Sequence, residues 1–418
     1  MKKKIIPSKI NGTITAPASK SHLIRAITAA ILANGKSIIK NPTFCHDTVS
    51  ALNIAKNLGA KITKKKNEIF IEGNFHPKKN TIDAGESGLC LRMFSAIAAL
   101  CETQICITGK GSLMSRPVFE IEKTLAQFGA ECRTKNGYLP VFVKGRLNGG
   151  TAKLDGSQSS QFLTGLLFAL PLLKSNSELI VENLKSKPYI DLTISVLNDF
   201  GIKITHNNYK LFKIRGNQLY HPKEFNVEGD WSGAAFLIVA GALGGNLQIE
   251  NLNINSKQAD IKILEAVKMA GAKIITNRNN IEVKKDKLNA FEMDASDCPD
   301  LFPPLVALAA NCSGTTILHG ADRLIHKESN RAASLKNEFE KLGIKISTDG
   351  NIMKIEGGEI IGGKTFSHND HRIAMALAVA AIRTKAELEI NDCSCVSKSY
   401  PAFFENFQSI GGNIIQTY

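Results

Sequence analysis

Six apolar segments of helical character recur along the chain, and each follows a short polar run. The runs are Ala18-Ser19-Lys20-Ser21, Gly85-Glu86-Ser87-Gly88, Ser157-Gln158-Ser159-Ser160, Gly229-Asp230-Trp231-Ser232, Cys298-Pro299-Asp300 and Asn369-Asp370-His371-Arg372. With Ser19, Ser87, Ser159, Ser232, Asp300 and Asp370 as markers, the steps are 68, 72, 73, 68 and 70 residues. A near-constant period of this kind marks a repeated structural unit. Small and hydroxyl residues ahead of an apolar stretch cap a helix N-terminus. Such an end carries free N–H groups and partial positive charge, and so attracts anions.

A second pattern keeps the same period. Each repeat closes with an apolar helix end, a glycine and an alternating strand, as in Leu58-Gly59-Ala60-Lys61-Ile62, Phe200-Gly201-Ile202-Lys203-Ile204 and Leu342-Gly343-Ile344-Lys345-Ile346. Glycine suits the position after a helix because it accepts positive φ. The alternation beyond it predicts a half-buried strand. In the first five copies a polar turn and a second strand come next, for example Ile69-Phe70-Ile71-Glu72-Gly73. The predicted unit is strand, helix, strand, helix, strand, strand, repeated six times in an α/β protein.

Bulk properties narrow the setting. The 418 residues are 43% apolar and 22% charged, enough to bury the cores of about two domains. The net charge of +14 admits nucleic acid, anionic membrane or small anionic substrates. The basic residues are dispersed, however, and most Phe lie in apolar helix runs rather than between exposed cations, which disfavours a stacking platform for nucleic acid. Nine cysteines without a C-x-x-C spacing predict reduced, mostly buried thiols and a cytoplasmic protein. No zinc-like cluster is present, and the longest apolar run, Ala234 to Leu243, is too short to span a bilayer. Neither a metal nor a cofactor is expected.

The candidate chemistry is polar and cationic. Ser21 and Arg25 share a helix face, and Lys20 occupies a first turn where a cation opposes the helix dipole. Ser157, Gln158, Ser159, Ser160 and Gln161 place hydroxyls and amides beside free backbone N–H groups. Arg92, Arg116, Lys327, Arg331, Arg372 and Lys398 fall mostly near helix starts, and arginine suits bidentate recognition of carboxylate and phosphate.

In this order and spacing, Ser19-Lys20-Ser21 with Arg25, Asp155 to Thr164, Ser186-Lys187-Pro188-Tyr189-Ile190-Asp191, Lys327-Glu328 with Arg331, Asn369 to Met375, and Lys398 resemble the 5-enolpyruvylshikimate-3-phosphate synthase family. The resemblance runs from about Ile10 to Phe404. It implies transfer of the enolpyruvyl group of phosphoenolpyruvate to the 5-hydroxyl of shikimate 3-phosphate, with release of phosphate. This is a step of the shikimate pathway to chorismate and the aromatic amino acids, by addition–elimination through a tetrahedral intermediate. The implied fold is two similar domains of three βαβαββ units each, an inside-out α/β barrel. Domain I would hold residues 1–12 and 228–418, domain II residues 13–227, with the active site in the cleft between them.

The resemblance also implies roles. Lys20, Ser21, Arg25, Ser159, Ser160, Gln161, Ser186, Asp300 and Lys327 would hold shikimate 3-phosphate. Lys20, Gly88, Arg116, Gln161, Arg331, Arg372 and Lys398 would surround phosphoenolpyruvate. Asp300 and Glu328 match the acid–base carboxylates, with Lys20 sharing proton transfer. The Asp230–Ser232 run receives no ligand role and is placed at the crossing between domains. The substrates are the only partners expected, with neither nucleic acid nor membrane, and a monomer is anticipated.

Several positions depart from the family pattern. Glu86 stands where Asn is common, Leu89 where Thr is, Arg323 where Asn is, and Asn330 where Asp is. A carboxylate at Glu86 would repel an anionic ligand unless paired, and Arg116 is the expected partner. The nearest alternative is the related family that transfers enolpyruvate to UDP-N-acetylglucosamine. That family carries a Cys five residues before its Arg-Pro, where this chain has Gly111. A basic nucleic-acid-binding repeat scaffold is the remote alternative.

Overall fold

The computed structural model describes residues 1–415. Three of the predicted helix starts are capped by their own polar runs. Ser87 Oγ accepts the Cys90 N–H at 3.3 Å ahead of the Gly88–Ala98 helix. Asp230 accepts from Gly233 at 3.1 Å ahead of Trp231–Gly244, and Asp370 from the Arg372 N–H at 2.9 Å ahead of His371–Ala380. Each such bond satisfies an otherwise orphaned helix donor. At the other end, the glycines of the second pattern (59, 129, 201, 271, 343 and 411) all have positive φ, the conformation that ends a helix and turns the chain into a strand.

Six four-stranded sheets form among the described residues, all with one topology. In the sheet of Gly150–Asp155, Ser177–Glu182, Ile204–Asn207 and Leu211–Ile214, the first two strands pair parallel. The fourth inserts antiparallel between the second and the third. A helix follows each of the first two strands, Gln161–Ala169 and Lys187–Asp199, which gives the predicted βαβαββ unit.

Two compact units result, Met1–Ser19 with Glu228–Tyr418, and Lys20–Val227. The first boundary lies further along than the one expected after residue 12. The reason is the Ile10–Thr15 strand, which pairs parallel with Gly245–Glu250 over its whole length and so stays with the C-terminal half. Residues 20–227 fill the corresponding place with Glu224–Asn226, which pairs parallel with Ile38–Lys40. In the sixth repeat Lys3–Ile6 takes the place between Leu388–Asn391 and Asn413–Ile415.

Within each unit the apolar helices lie inside and the sheets outside. Trp231 through Leu243 is buried on every side, packed against Phe302–Ala309 and His371–Ala380. A helix apolar all round requires such a site. In the other unit Gly88–Ala98 packs on Gln161–Ala169, so closely that a Cβ on Gly165 would lie 2.5 Å from the Met93 carbonyl oxygen. The strands alternate, as in Tyr138–Lys144, where every second residue is buried. Among the described residues no helix is long and apolar enough to cross a membrane.

Candidate active site

In the unit containing residues 228–418, three helix starts converge on Arg331. This side chain is fully buried. Its Nη1 donates to Asp300 at 2.9 Å, its Nε to Asp370 at 2.9 Å, and its Nη2 to Glu328. Burial opposes the guanidinium charge, but Asp370, Glu328 and Asp300 outweigh it and raise the pKa above its ordinary value. Arg372 completes the array, donating to Asp300 Oδ2 and to Ser232 Oγ, each at 3.0 Å. Lys327 lies 3.6 Å from Asp300.

These contacts divide the titrating groups. Burial would raise the Asp300 pKa, yet Arg372, Lys327 and Arg331 hold it far below the usual carboxylate range. Burial lowers Lys327 to about 8, the attraction of Asp300 offsetting only part of that effect. Lys398, 5% exposed, donates to the Asn369 carbonyl at 2.7 Å. Asn330 caps the Arg331–Lys341 helix by accepting from Ala333 at 3.3 Å, a role that Asn fills as well as Asp does.

The unit of residues 20–227 holds a second array. Arg25 is 1% exposed, and its partners are neutral: Thr193 Oγ1 at 2.9 Å, the Ser21 carbonyl at 2.9 Å and the Tyr189 carbonyl at 3.3 Å. Burial lowers its pKa to about 10, so it stays charged at neutral pH. Thr193 Oγ1 also meets Thr164 Oγ1 at 3.0 Å. Thr164 N in turn bonds the Ser160 carbonyl, and the Ser186 carbonyl accepts from Tyr189 N. Arg25 thus bonds the Ser21 carbonyl and the residues Thr193 and Tyr189, and the backbone carbonyls of Ser160 and Ser186 lie at the starts of the helices that carry Thr164 and Tyr189. Ser186 starts its helix with a left-handed backbone, φ 56°. Ser159 Oγ accepts the Gln161 N–H at 3.2 Å.

Gly88 lies beside this array. A Cβ there would sit 3.0 Å from Nη1 of both Arg116 and Arg92, and 3.4 Å from Gln161 Oε1. Arg92, to which the family resemblance assigns no role, donates to Gln161 Oε1 at 3.2 Å. Lys20 pairs with Asp47 at 2.9 Å, both side chains largely buried. Glu86 Oε2 accepts the Ser112 N–H at 3.4 Å, and Arg116 donates to Ser112 Oγ at 3.3 Å. Glu86 and Arg116 thus share one residue of the turn after Gly111.

Sequence reasoning missed Asp47, Thr193, Ser232 and Asp260. Ser232 is no mere linker residue: it takes a bond from Arg372 and donates to Asp260. Its place in a periodic polar run was the available signal. The other three lie outside every run and carried none. Among the described residues no group of three or more His, Cys, Asp or Glu could hold a metal.

The comparisons agree on one kind of protein. EPSP synthase from Acinetobacter baumannii has a TM-score of 0.83 and 26% identity, covering 99% of this chain and all of that one. The enolpyruvyl transferase NikO from Streptomyces tendae shares the fold with a TM-score of 0.80, at 17% identity and 99% and 98% coverage. The fold is that of the enolpyruvyl transferases. A family model for EPSP synthase (3-phosphoshikimate 1-carboxyvinyltransferase) matches residues 5–407. Relatives bearing the latter name in Clostridium perfringens and Clostridioides difficile are 42% and 38% identical, over 99% and 98% of this chain and 99% and 98% of their own. The chain belongs to the EPSP synthase family and is an enzyme.

Proposed function

We propose that the two arrays serve one reaction: the enolpyruvyl group of phosphoenolpyruvate passes to the 5-hydroxyl of shikimate 3-phosphate, and phosphate leaves. The observation that carries this reading is Arg25, a buried cation whose hydrogen-bond partners are all neutral oxygens. An anionic group supplies the missing charge. Arg25, Lys20, Ser21, Ser159, Ser160, Gln161, Ser186, Asp300 and Lys327 bind shikimate 3-phosphate. Lys20, Gly88, Arg116, Gln161, Arg331, Arg372 and Lys398 bind phosphoenolpyruvate.

The chemistry follows from charge. In the addition step the 5-oxygen bonds to C2 of phosphoenolpyruvate while C3 takes a proton. In the elimination step C3 loses a proton and the C2–O bond to phosphate breaks. Asp300 receives the hydroxyl proton and gives it up as the phosphate leaves, while Glu328, protonated when the substrates are bound, delivers the proton to C3 and later takes it back. In the free enzyme the cations around Asp300 make it a weak base. Bound substrate anions offset those cations and restore basicity. Arg331, Arg372 and Lys398 stabilise charge on the leaving phosphate.

Phosphate release from phosphoenolpyruvate, with shikimate 3-phosphate and UDP-N-acetylglucosamine as rival acceptors, tests the reading. Activity with only the second overturns it. Gly111 favours the first: its left-handed backbone, φ 56°, is one that a cysteine such as that of the related family rarely adopts. The roles of Lys20, Asp300 and Glu328 are tested by alanine variants. If all three fold and keep near-normal turnover, the assigned acid–base chemistry is wrong. The protein works as a monomer in the cytoplasm; sedimentation and cell fractionation check both statements.

A further inference from the structure

We infer that Glu338 is a positioning residue for the phosphoenolpyruvate-binding part of the site, acting through the segment Phe366–Arg372. The inference rests on the binding roles proposed above for Arg331, Arg372 and Lys398. Glu338 is fully buried, two turns along the helix that begins at Arg331. Its Oε2 accepts the Phe366 N–H at 2.9 Å, and its Oε1 lies 2.7 Å from His368 Nε2. On the solvent side Lys341 donates to both oxygens, at 2.7 and 2.9 Å, from a half-exposed side chain.

The segment held in this way is conformationally costly. His368 and Asn369 both have left-handed backbones, φ 56° and 54°; Asn enters that region readily, but two such residues in succession cost energy that the surroundings must meet. The residues from Asn369 to Arg372 form the binding apparatus. The Asn369 carbonyl receives the Lys398 ammonium, Asp370 receives Arg331, and Arg372 reaches Asp300 and Ser232. Glu338 therefore ties one end of this segment to the helix whose first residue, Arg331, grips the other end. A buried carboxylate paired with a half-exposed lysine is a poor device for stability alone. Two contacts to the segment's backbone and histidine fit a device for geometry.

Three variants separate these roles: Glu338→Gln, His368→Ala and the control Lys341→Ala. His368 is about one-third exposed, so its removal leaves the core intact. Hydrogen exchange of residues 366–372 in the free enzyme is expected to quicken in the first two variants and not in the third. The KM for phosphoenolpyruvate is expected to rise about tenfold in the first two, as small misplacements of binding groups do, with the KM for shikimate 3-phosphate unchanged. The double variant should be no worse than the stronger single one. Unchanged exchange in both Glu338→Gln and His368→Ala overturns the inference, as does quickened exchange with an unchanged phosphoenolpyruvate KM. Arg372→Gln is the reference: if it too leaves that KM unchanged, the proposed binding roles fail, and the exchange result still decides whether Glu338 holds the segment.

Discussion

Replacing Arg25 by Met separates a ligand-binding cation from a structural one. The displacement of its pKa from 12.5 to about 10 by burial corresponds to a penalty on the order of 3 kcal/mol on the charged form in the free protein. The sign is that of a base with a depressed folded-state pKa. The penalty is present in full at neutral pH and is relieved only as pH rises through about 10. Removing the guanidinium removes the penalty and also three hydrogen bonds, each contributing about 0.5–1.5 kcal/mol. Two of the abandoned acceptors keep other partners: Thr193 Oγ1 meets Thr164 and donates to the Tyr189 carbonyl. The terms nearly cancel, so stability should change by no more than about 1 kcal/mol, a shift of roughly 2–4 °C in thermal midpoint. Binding has no such compensation. Losing charged hydrogen bonds to a phosphate costs about 1.5–3 kcal/mol, which raises the KM for shikimate 3-phosphate about 10- to 150-fold and leaves that for phosphoenolpyruvate unchanged. Thermal melts with and without shikimate 3-phosphate, alongside steady-state phosphate release, provide both readings. A destabilisation of several kcal/mol, or an unaltered KM for shikimate 3-phosphate, would refute the reasoning. Arg331→Met differs in that this cation, besides its proposed binding role, holds three acids: the variant strands them and should lose about 3–5 kcal/mol of stability as well.

Gly111→Ala should destabilise the protein and weaken phosphoenolpyruvate binding, because the new Cβ meets Glu86 Oε2 at 2.4 Å on a left-handed backbone. Adding Glu86→Ala should recover part of the loss in a double-mutant melt. Glu86→Asn alone should change the KM for phosphoenolpyruvate, and an unchanged constant sinks the idea that this carboxylate tunes Arg116. Gly88→Ala should raise that same KM severalfold with little change for shikimate 3-phosphate, since the guanidinium ends of Arg92 and Arg116, 3.0 Å from the added carbon, must give way. Lys327, lowered to about 8, loses its charge as pH rises through that value. A pH profile of kcat/KM for shikimate 3-phosphate should therefore fall above about pH 8, and Lys327→Arg should move that limb upward.

The sequence carried the repeat because its causes are local. The polar run ahead of each inner helix and the glycine after each outer one are dictated by the backbone within a few residues, so the six copies show in the sequence itself. Strand exchange is not local. Nothing in Lys3–Ile6 or Glu224–Asn226 states that each completes a sheet begun far away in the chain. For the same reason the expected domain boundary fell inside the Ile10–Thr15 strand instead of beyond it. The site divides in a similar way. Ser21, Arg25, Ser160 and Arg331 stand in motifs that mark them as candidates. Asp47 and Thr193 act only because folding brings them to Lys20 and Arg25, and Glu338 looks like any surface acid on a helix until Phe366 and His368 close over it.

The exchanged N-terminal strands set an order of events during synthesis. Residues 20–227 form a contiguous unit and have every strand they need once Asn226 has left the ribosome. Lys3–Ile6, made first, finds its partners only when Leu388–Asn391 and Asn413–Ile415 arrive. At about 5–20 residues per second it waits roughly 20–80 s with both edges unpaired. The lysines at positions 2, 3 and 4 give this waiting strand the charge that discourages it from joining a neighbouring chain. Replacing them with neutral residues should increase aggregation during expression far more than it lowers the stability of the finished protein.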